Sequence, residues 1–146
     1  MSNITNYITN GGDVNLKDQW GNTPLVWGVH YGHTDVVKIL IDAKADVNAK
    51  DVNDQSALMK ASDKGHTNIA KILISANADV NAKDIRGQTA LIMASQNGHR
   101  DVVKLLIDAK ANVKTKDNEG LTALMWAKLE NHNNVIGILE TAGALE

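Results

Sequence analysis

Asp18, Asp51, Asp84 and Asp117 lie 33 residues apart, as do Leu25, Leu58, Leu91 and Leu124, and as do His33, His66, His99 and His132. Residues 18–50 and 84–116 are identical at 18 of 33 positions, and no gap is needed anywhere between Asp18 and Gly143. A period of this length marks one supersecondary unit repeated in tandem, since each copy must bury its apolar face against its neighbours. The repetition also changes how a short motif is read. "GHTDVV" at 32–37 sets His33 beside Asp35 like a ligand or catalytic pair, yet "GHRDVV" recurs at 98–103. Neighbouring copies are separated by about a helix-packing distance, 8–10 Å, too far for shared zinc ligation at about 2 Å. These histidines belong to the architecture of the unit.

Within one unit, Thr23 before Pro24 reads as an N-cap with proline at the first helical position, and Ser56, Thr89 and Thr122 hold the same place. A short helix follows and runs to Gly32, Gly65 or Gly98, where a turn calls for a residue tolerant of positive φ. The segments "TDVVKILIDA", "TNIAKILISA" and "RDVVKLLIDA" then carry apolar residues at helical spacing. Stretches such as "KADVNAKDVND" between units predict extended, turn-bearing fingers. Helices of about nine residues do not persist alone in water, so stability comes from stacking, in a solenoid with neighbour contacts only.

Composition narrows the function classes. The 146 residues carry 15 Lys and Arg against 17 Asp and Glu, a formal net charge of −2 with the signs interleaved. That pattern offers no stripe for nucleic acid or an anionic membrane. The chain has no cysteine, which removes disulfides, thiol nucleophiles and thiolate-bound zinc. "MSNITNYITN" lacks the basic and apolar regions of a secretory leader, and no run approaches the eighteen apolar residues of a membrane span. A cytoplasmic protein is the default expectation. Phenylalanine is absent and aromatics are 3%, so Leu, Ile, Val, Ala and Met must build the core.

The pattern Asp-x-x-Gly-x-Thr-Pro-Leu, then Ala, Gly-His, Val-Val-x-x-Leu and Ala-Asp-Val-Asn resembles the ankyrin repeat over nearly the whole chain. The resemblance implies an all-α solenoid with short β-hairpin fingers, an ankyrin-type stack of L-shaped helix pairs whose Gly-His pairs order the inter-helix turns by hydrogen bonds to backbone. It divides the single domain 1–146 into a leading half-repeat (1–17), full repeats at 18–50, 51–83 and 84–116, and a C-terminal capping repeat at 117–146.

Departures from the family pattern are informative. Val26, Met59, Ile92 and Met125 stand where the family places a histidine. Gly11 and Gly143 end the second helix, whereas Lys44, Asn77 and Lys110 replace that glycine in the middle copies. A non-glycine residue there costs on the order of 1 kcal/mol if left-handed. Glu140 replaces Ile41, Ile74 and Ile107, as expected of a solvent-facing cap. Ile4, Tyr7 and Ile8 align with Val37, Leu40 and Ile41, so the leading unit is only a second helix and finger. Leu145-Glu146 reads as a cloning scar.

No enzymatic constellation is present: the chain has no phosphate-cradling glycine loop and no His-Glu-x-x-His. Asp51, Asn53 and Asp54 resemble the start of a calcium loop, but Ser62 stands where a bidentate Glu is required. No cofactor and no metal are expected.

What the resemblance implies is recognition of another protein by the positions that vary between units. These are Gln19, Trp20, Asn22, Trp27, His30 and Tyr31 in the first, and Val52, Asn53, Gln55, Lys60, Asp63 and Lys64 in the second. Ile85, Arg86, Gln88, Gln96 and Asn97 follow in the third, and Asn118, Glu119, Leu121, Trp126 and Glu130 in the fourth. His30 lies off the period and is expected to be exposed. Trp20, Trp27 and Tyr31 form the expected aromatic anchor, because exposed Trp and Tyr concentrate at binding hot spots. The competing expectation for Trp27 and Trp126 is that they cover the first-helix layer. A monomer is expected, with weak self-association open through the N-terminal end, and an engineered scaffold without a natural partner is the alternative reading.

Overall fold

A computed structural model describes residues 2–144. Residues 145 and 146, read above as a cloning scar, lie outside the described residues. In chain order the helices are α1 (Ser2–Thr9), α2 (Pro24–His30), α3 (Thr34–Asp42), α4 (Ala57–Lys64), α5 (Thr67–Ser75), α6 (Ala90–Gln96), α7 (Arg100–Asp108), α8 (Ala123–Leu129) and α9 (Asn133–Thr141). Helices α2, α4, α6 and α8 pack side by side as an inner row, and α3, α5, α7 and α9 form an outer row behind it.

Each inner helix starts as its sequence dictates. Thr23, Ser56, Thr89 and Thr122 are extended, and their hydroxyls accept from the backbone N–H of Val26, Met59, Ile92 and Met125 at 3.2–3.3 Å. The outer helices end in a shared device. Lys44 N–H donates to Ile41 O and Ala45 N–H to Leu40 O, both at 3.0 Å, and the same pair of bonds closes α5, α7 and α9. This is the Schellman arrangement, and it demands a left-handed residue. Lys44, Asn77 and Lys110 adopt φ of 69°, 70° and 69° there, as the missing glycines predict.

The core is a continuous layer between the rows. Leu25, Leu58, Leu91 and Leu124 are 1–2% exposed, and Leu40, Leu73, Leu106 and Leu139 meet them fully buried. Gly28, Ala61, Ala94 and Ala127 keep the inner helices close enough to share that layer. Ile4 and Ile8 of α1 pack against the same core.

The fingers differ from the expected β-hairpins. Among the described residues there is no strand, only one isolated antiparallel bridge between Lys50 and Ser56. Side chains do the work a ladder would do. In each finger the opening aspartate (Asp18, Asp51, Asp84, Asp117) accepts at Oδ1 from the backbone N–H two and four residues on, at 2.8–3.0 Å. The backbone also pairs across each turn: Asp51 N–H donates to Gln55 O and Asp54 N–H to Asp51 O, both at 3.0 Å, and the other three fingers repeat both bonds.

Further pairing runs between fingers. Val52 N–H donates to Trp20 O, Ile85 N–H to Asn53 O and Asn118 N–H to Arg86 O, at 2.9–3.1 Å. At the finger base, Asn15, Asn48 and Asn81 each accept at Oδ1 from the backbone of the next unit, at Asp46, Asp79 and Asn112, all 2.8 Å. Two of the periodic histidines follow the same rule: each holds a backbone carbonyl, as the resemblance implies, and that carbonyl belongs to the preceding unit. His99 Nε2 pairs with Asp63 O and His132 Nε2 with Gln96 O, both in the preceding unit and both 2.9 Å. The rings lie where a side chain on the preceding turn would go, since a Cβ placed on Gly65 or Gly98 would stand 2.6 Å from the imidazole.

Candidate functional site

The inner helices and the finger tips form the walls of a groove of about 430 Å³. It brings together nine of the residues singled out from sequence: His30, Gln55, Lys60, Asp63, Lys64, Arg86, Gln88, Gln96 and Asn97. Two further lining residues, Met59 and Met93, escaped the sequence reading because they are buried, at 1% and 4% exposure. Met59 is the residue standing in for the family's histidine, so the departure noted in sequence furnishes an apolar floor.

Asp51 fixes the first wall. Its Oδ2 forms a 2.9 Å ion pair with Lys60 Nζ, which also donates to Gln55 Oε1 at 3.1 Å. Burial alone would raise the Asp51 pKa, but the bond and charge of Lys60 and the backbone donors of Gln55 and Asn53 hold it below the usual carboxylate value. Both carboxylate oxygens are thus engaged, Oδ1 by the turn and Oδ2 by Lys60.

Trp27 and Trp126 occupy the position of Lys60 in their own units and perform the same task. Trp27 Nε1–H donates to Asp18 Oδ2 at 2.8 Å, and Trp126 Nε1–H to Asp117 Oδ2 at 2.7 Å. For Asp18, burial would raise the pKa, and the donors of Asn22, Trp27 and Trp20 overturn that and lower it. Met93 has no donor at this position, and Gln55 Nε2 reaches across from the preceding unit to Asp84 Oδ2 at 3.3 Å. Both tryptophans are half-buried, which favours the layer-covering expectation for them over that of free anchors.

The aromatic group expected in the first unit is partly assembled. Trp27 stacks on Tyr31 with centroids 5.8 Å apart and planes 17° apart, and His30 meets both rings edge-on. Tyr31 also faces His33, with centroids 6.1 Å apart and planes inclined by 30°. Trp20 makes no ring contact with this group among the described residues. It stands on the finger tip at 53% exposure, beside the exposed Gln19. Val52 and Ile85 continue the tips at 65% and 56%, an apolar ridge that ends at Asn118.

One of the singled-out residues is buried, and the expected exposure of another is corrected. Gln88 is buried, because its side chain turns inward to Gln96 Oε1 at 3.5 Å. His30 is half-buried between Trp27 and Tyr31. Its pKa is lowered, first by burial and then by the positive charges of Lys64, Lys60 and His66. Asn53, Asp63, Lys64, Arg86, Asn97, Asn118, Glu119 and Glu130 are exposed, whereas Asn22, Gln55, Lys60, Gln96 and Leu121 are half-buried. Asp63 and Asn97 are joined, Asn97 Nδ2 donating to Asp63 Oδ1 at 2.8 Å. Leu121 lies with Met125 and Leu129 in an apolar hollow at the far side of α8.

Among the described residues no group of three or more His, Asp or Glu could hold a metal ion, and no helix is long and apolar enough to cross a membrane.

A family model for ankyrin repeats (3 copies) matches residues 1–84 and 83–144. A segment of 45 residues is 40% identical to acyl-CoA-binding domain-containing protein 2 of Arabidopsis thaliana, spanning 31% of this chain and 13% of that protein. The chain therefore spans only a small part of the length of this relative. With helix pairs recurring at the period of the sequence and the family model matching nearly all of it, the chain belongs to the ankyrin repeat family.

Proposed function

We propose that this chain is a non-enzymatic protein-binding module, one domain over 1–146 with the unit boundaries given above, which holds a partner through its finger tips and concave helix face. Ankyrin repeats generally mediate protein–protein interaction. The observation that carries the reading here is the groove itself. Its frame of aspartates, caps and leucines repeats, while the side chains facing the opening change from unit to unit. Trp20, Val52, Ile85 and Tyr31 supply exposed apolar area at 53–65% each, the kind of surface from which hot spots are built.

The test separates anchors from scaffold. Trp27 is left in place because it holds Asp18. The immobilised wild type and the triple variant Trp20→Ala, Tyr31→Ala, Ile85→Ala are compared for capture from lysate, after circular dichroism shows both folded. A protein held by the wild type and lost by the variant is expected. Equal capture by both would place recognition elsewhere and overturn the reading.

A further inference from the structure

The groove is electrically unlike the chain that forms it. The formal net charge is −2, yet the groove is lined by three cations, Lys60, Lys64 and Arg86, against the single carboxylate of Asp63. Lys60 is spent on Asp51. The ammonium of Lys64 and the guanidinium of Arg86 are exposed and meet no carboxylate or other acceptor among the described residues. Asp63 is occupied by Asn97. Beneath them lie Met59 and Met93, a floor of low dielectric constant compared with water, next to which a charge pair is less screened than on an open surface.

We infer that this groove takes an acidic peptide segment whose carboxylates pair with Lys64 and Arg86. The inference rests on the protein-binding reading above and specifies its ligand. An arginine fork matches a carboxylate with two parallel donors, and a lysine offers a point charge that tolerates variation in the ligand's course. His30, at the edge of the groove, has its pKa lowered first by burial and then by Lys64 and Lys60, in keeping with that positive charge. The field is also short. One unit beyond Arg86 the equivalent residue is Glu119, and two units beyond Lys64 it is Glu130; on the other side the equivalent of Lys64 is Tyr31. A polyphosphate backbone would run from the cations onto these glutamates. Two or three acidic residues followed by neutral or basic ones fit instead.

The experiment uses a displayed library of random twelve-residue peptides selected on the immobilised chain, followed by anisotropy of the fluorescein-labelled winners. Enrichment of acidic peptides is expected. Their affinity should fall about tenfold or more with Lys64→Glu plus Arg86→Glu, fall less with the Gln pair, and fall on raising salt. Lys38→Glu plus Lys71→Glu, on the outer helices, should leave it unchanged. Since Lys64 and Arg86 hold no hydrogen-bonded or ion-paired partner among the described residues, the variants should melt close to the wild type, with Lys64→Glu slightly lower because it puts a negative charge in the last turn of α4. Neutral or basic winners, acidic winners indifferent to the charge reversal, or displacement by a single-stranded oligonucleotide at equal concentration would each overturn the inference. Winners of that kind still lost on Trp20→Ala plus Tyr31→Ala would leave concave-face binding standing. An empty selection overturns the acidic segment, and the lysate capture then decides whether the broader reading falls with it.

Discussion

The indole Nε1–H of Trp126 donates to Oδ2 of Asp117 at 2.7 Å, and Trp27 makes the same bond to Asp18 at 2.8 Å. In both, nine residues separate donor and acceptor, so the bond ties the start of a finger to the middle of the helix after it. The aspartate's other oxygen already caps the finger turn. One carboxylate thus fixes the angle between finger and helix.

Removing that indole donor should destabilise the fold where removing an exposed ring does not. Trp126→Phe keeps most of the ring and deletes the bond to a charged acceptor, for an expected loss of about 1–2 kcal/mol. Trp27→Phe should move in the same direction. Trp20→Phe, on the finger tip, should stay within about 0.5 kcal/mol. Urea unfolding at neutral pH checks this, and equal midpoints for all three variants would show that the indole bonds contribute nothing.

Acid should act through the finger aspartates. The Asp51 carboxyl is held below its ordinary value, where burial is overruled by Lys60 and by the donors of Gln55 and Asn53. A depressed folded pKa means the unfolded chain takes up the proton first. Its contribution is therefore complete above about pH 4, the unfolded value, and is lost as pH falls through the lower folded value. Asp18 acts with the same sign. Melting curves from pH 6 to pH 2 should show the gap between wild type and Asp51→Asn narrowing towards the acid end. A gap that stays constant would mean that the ionised form is not the stabilising one.

Lys44 and Lys110 hold a left-handed conformation that costs an L side chain on the order of 1 kcal/mol. Replacement by glycine removes that cost but adds freedom to the unfolded chain. The net expectation is a gain of about 0.5 kcal/mol for Lys44→Gly and for Lys110→Gly, and less for Asn77→Gly, because asparagine tolerates this region. Differential scanning calorimetry of the three single variants tests the order as well as the sign.

Asn48 and Asn81 each offer Oδ1 to a backbone N–H of the following unit. Asn48→Ala should therefore cost about 1 kcal/mol and loosen the joint between two units, leaving each helix pair intact. Hydrogen exchange at Asp79 N–H should quicken first. Unchanged protection there would mean that the side chain does not hold the neighbouring finger.

Most of the scaffold could be read from the sequence because its signals are local. Thr23-Pro24 as a cap, the left-handed Lys44, and the leucines at fixed spacing each depend on residues a few positions away. The period then places every copy. The fingers were read less well. The sequence suggests hairpins, but a carboxylate that consumes the turn's donors is indistinguishable in one dimension from a polar loop. The destinations of His99 and His132 were missed for a related reason: a side chain can reach a carbonyl 36 residues back only once the stack exists. At the candidate site, variation between units singles out Lys64 and Arg86, and both are exposed. It cannot distinguish them from Lys60 and Trp126, which vary just as much and yet serve the frame, because three different side chains stand at that one position, Trp27, Lys60, Met93 and Trp126.

The bonds between units join residues 29 to 36 positions apart, and the backbone pairs between finger tips step by 32. No contact that holds the stack has to wait for distant chain to arrive. Low contact order favours fast folding, and a helix pair leaving the ribosome can dock on the one made just before it. Pulled from its ends, such a chain should surrender its length in parcels of about 33 residues, each about 11 nm when fully extended, instead of failing all at once.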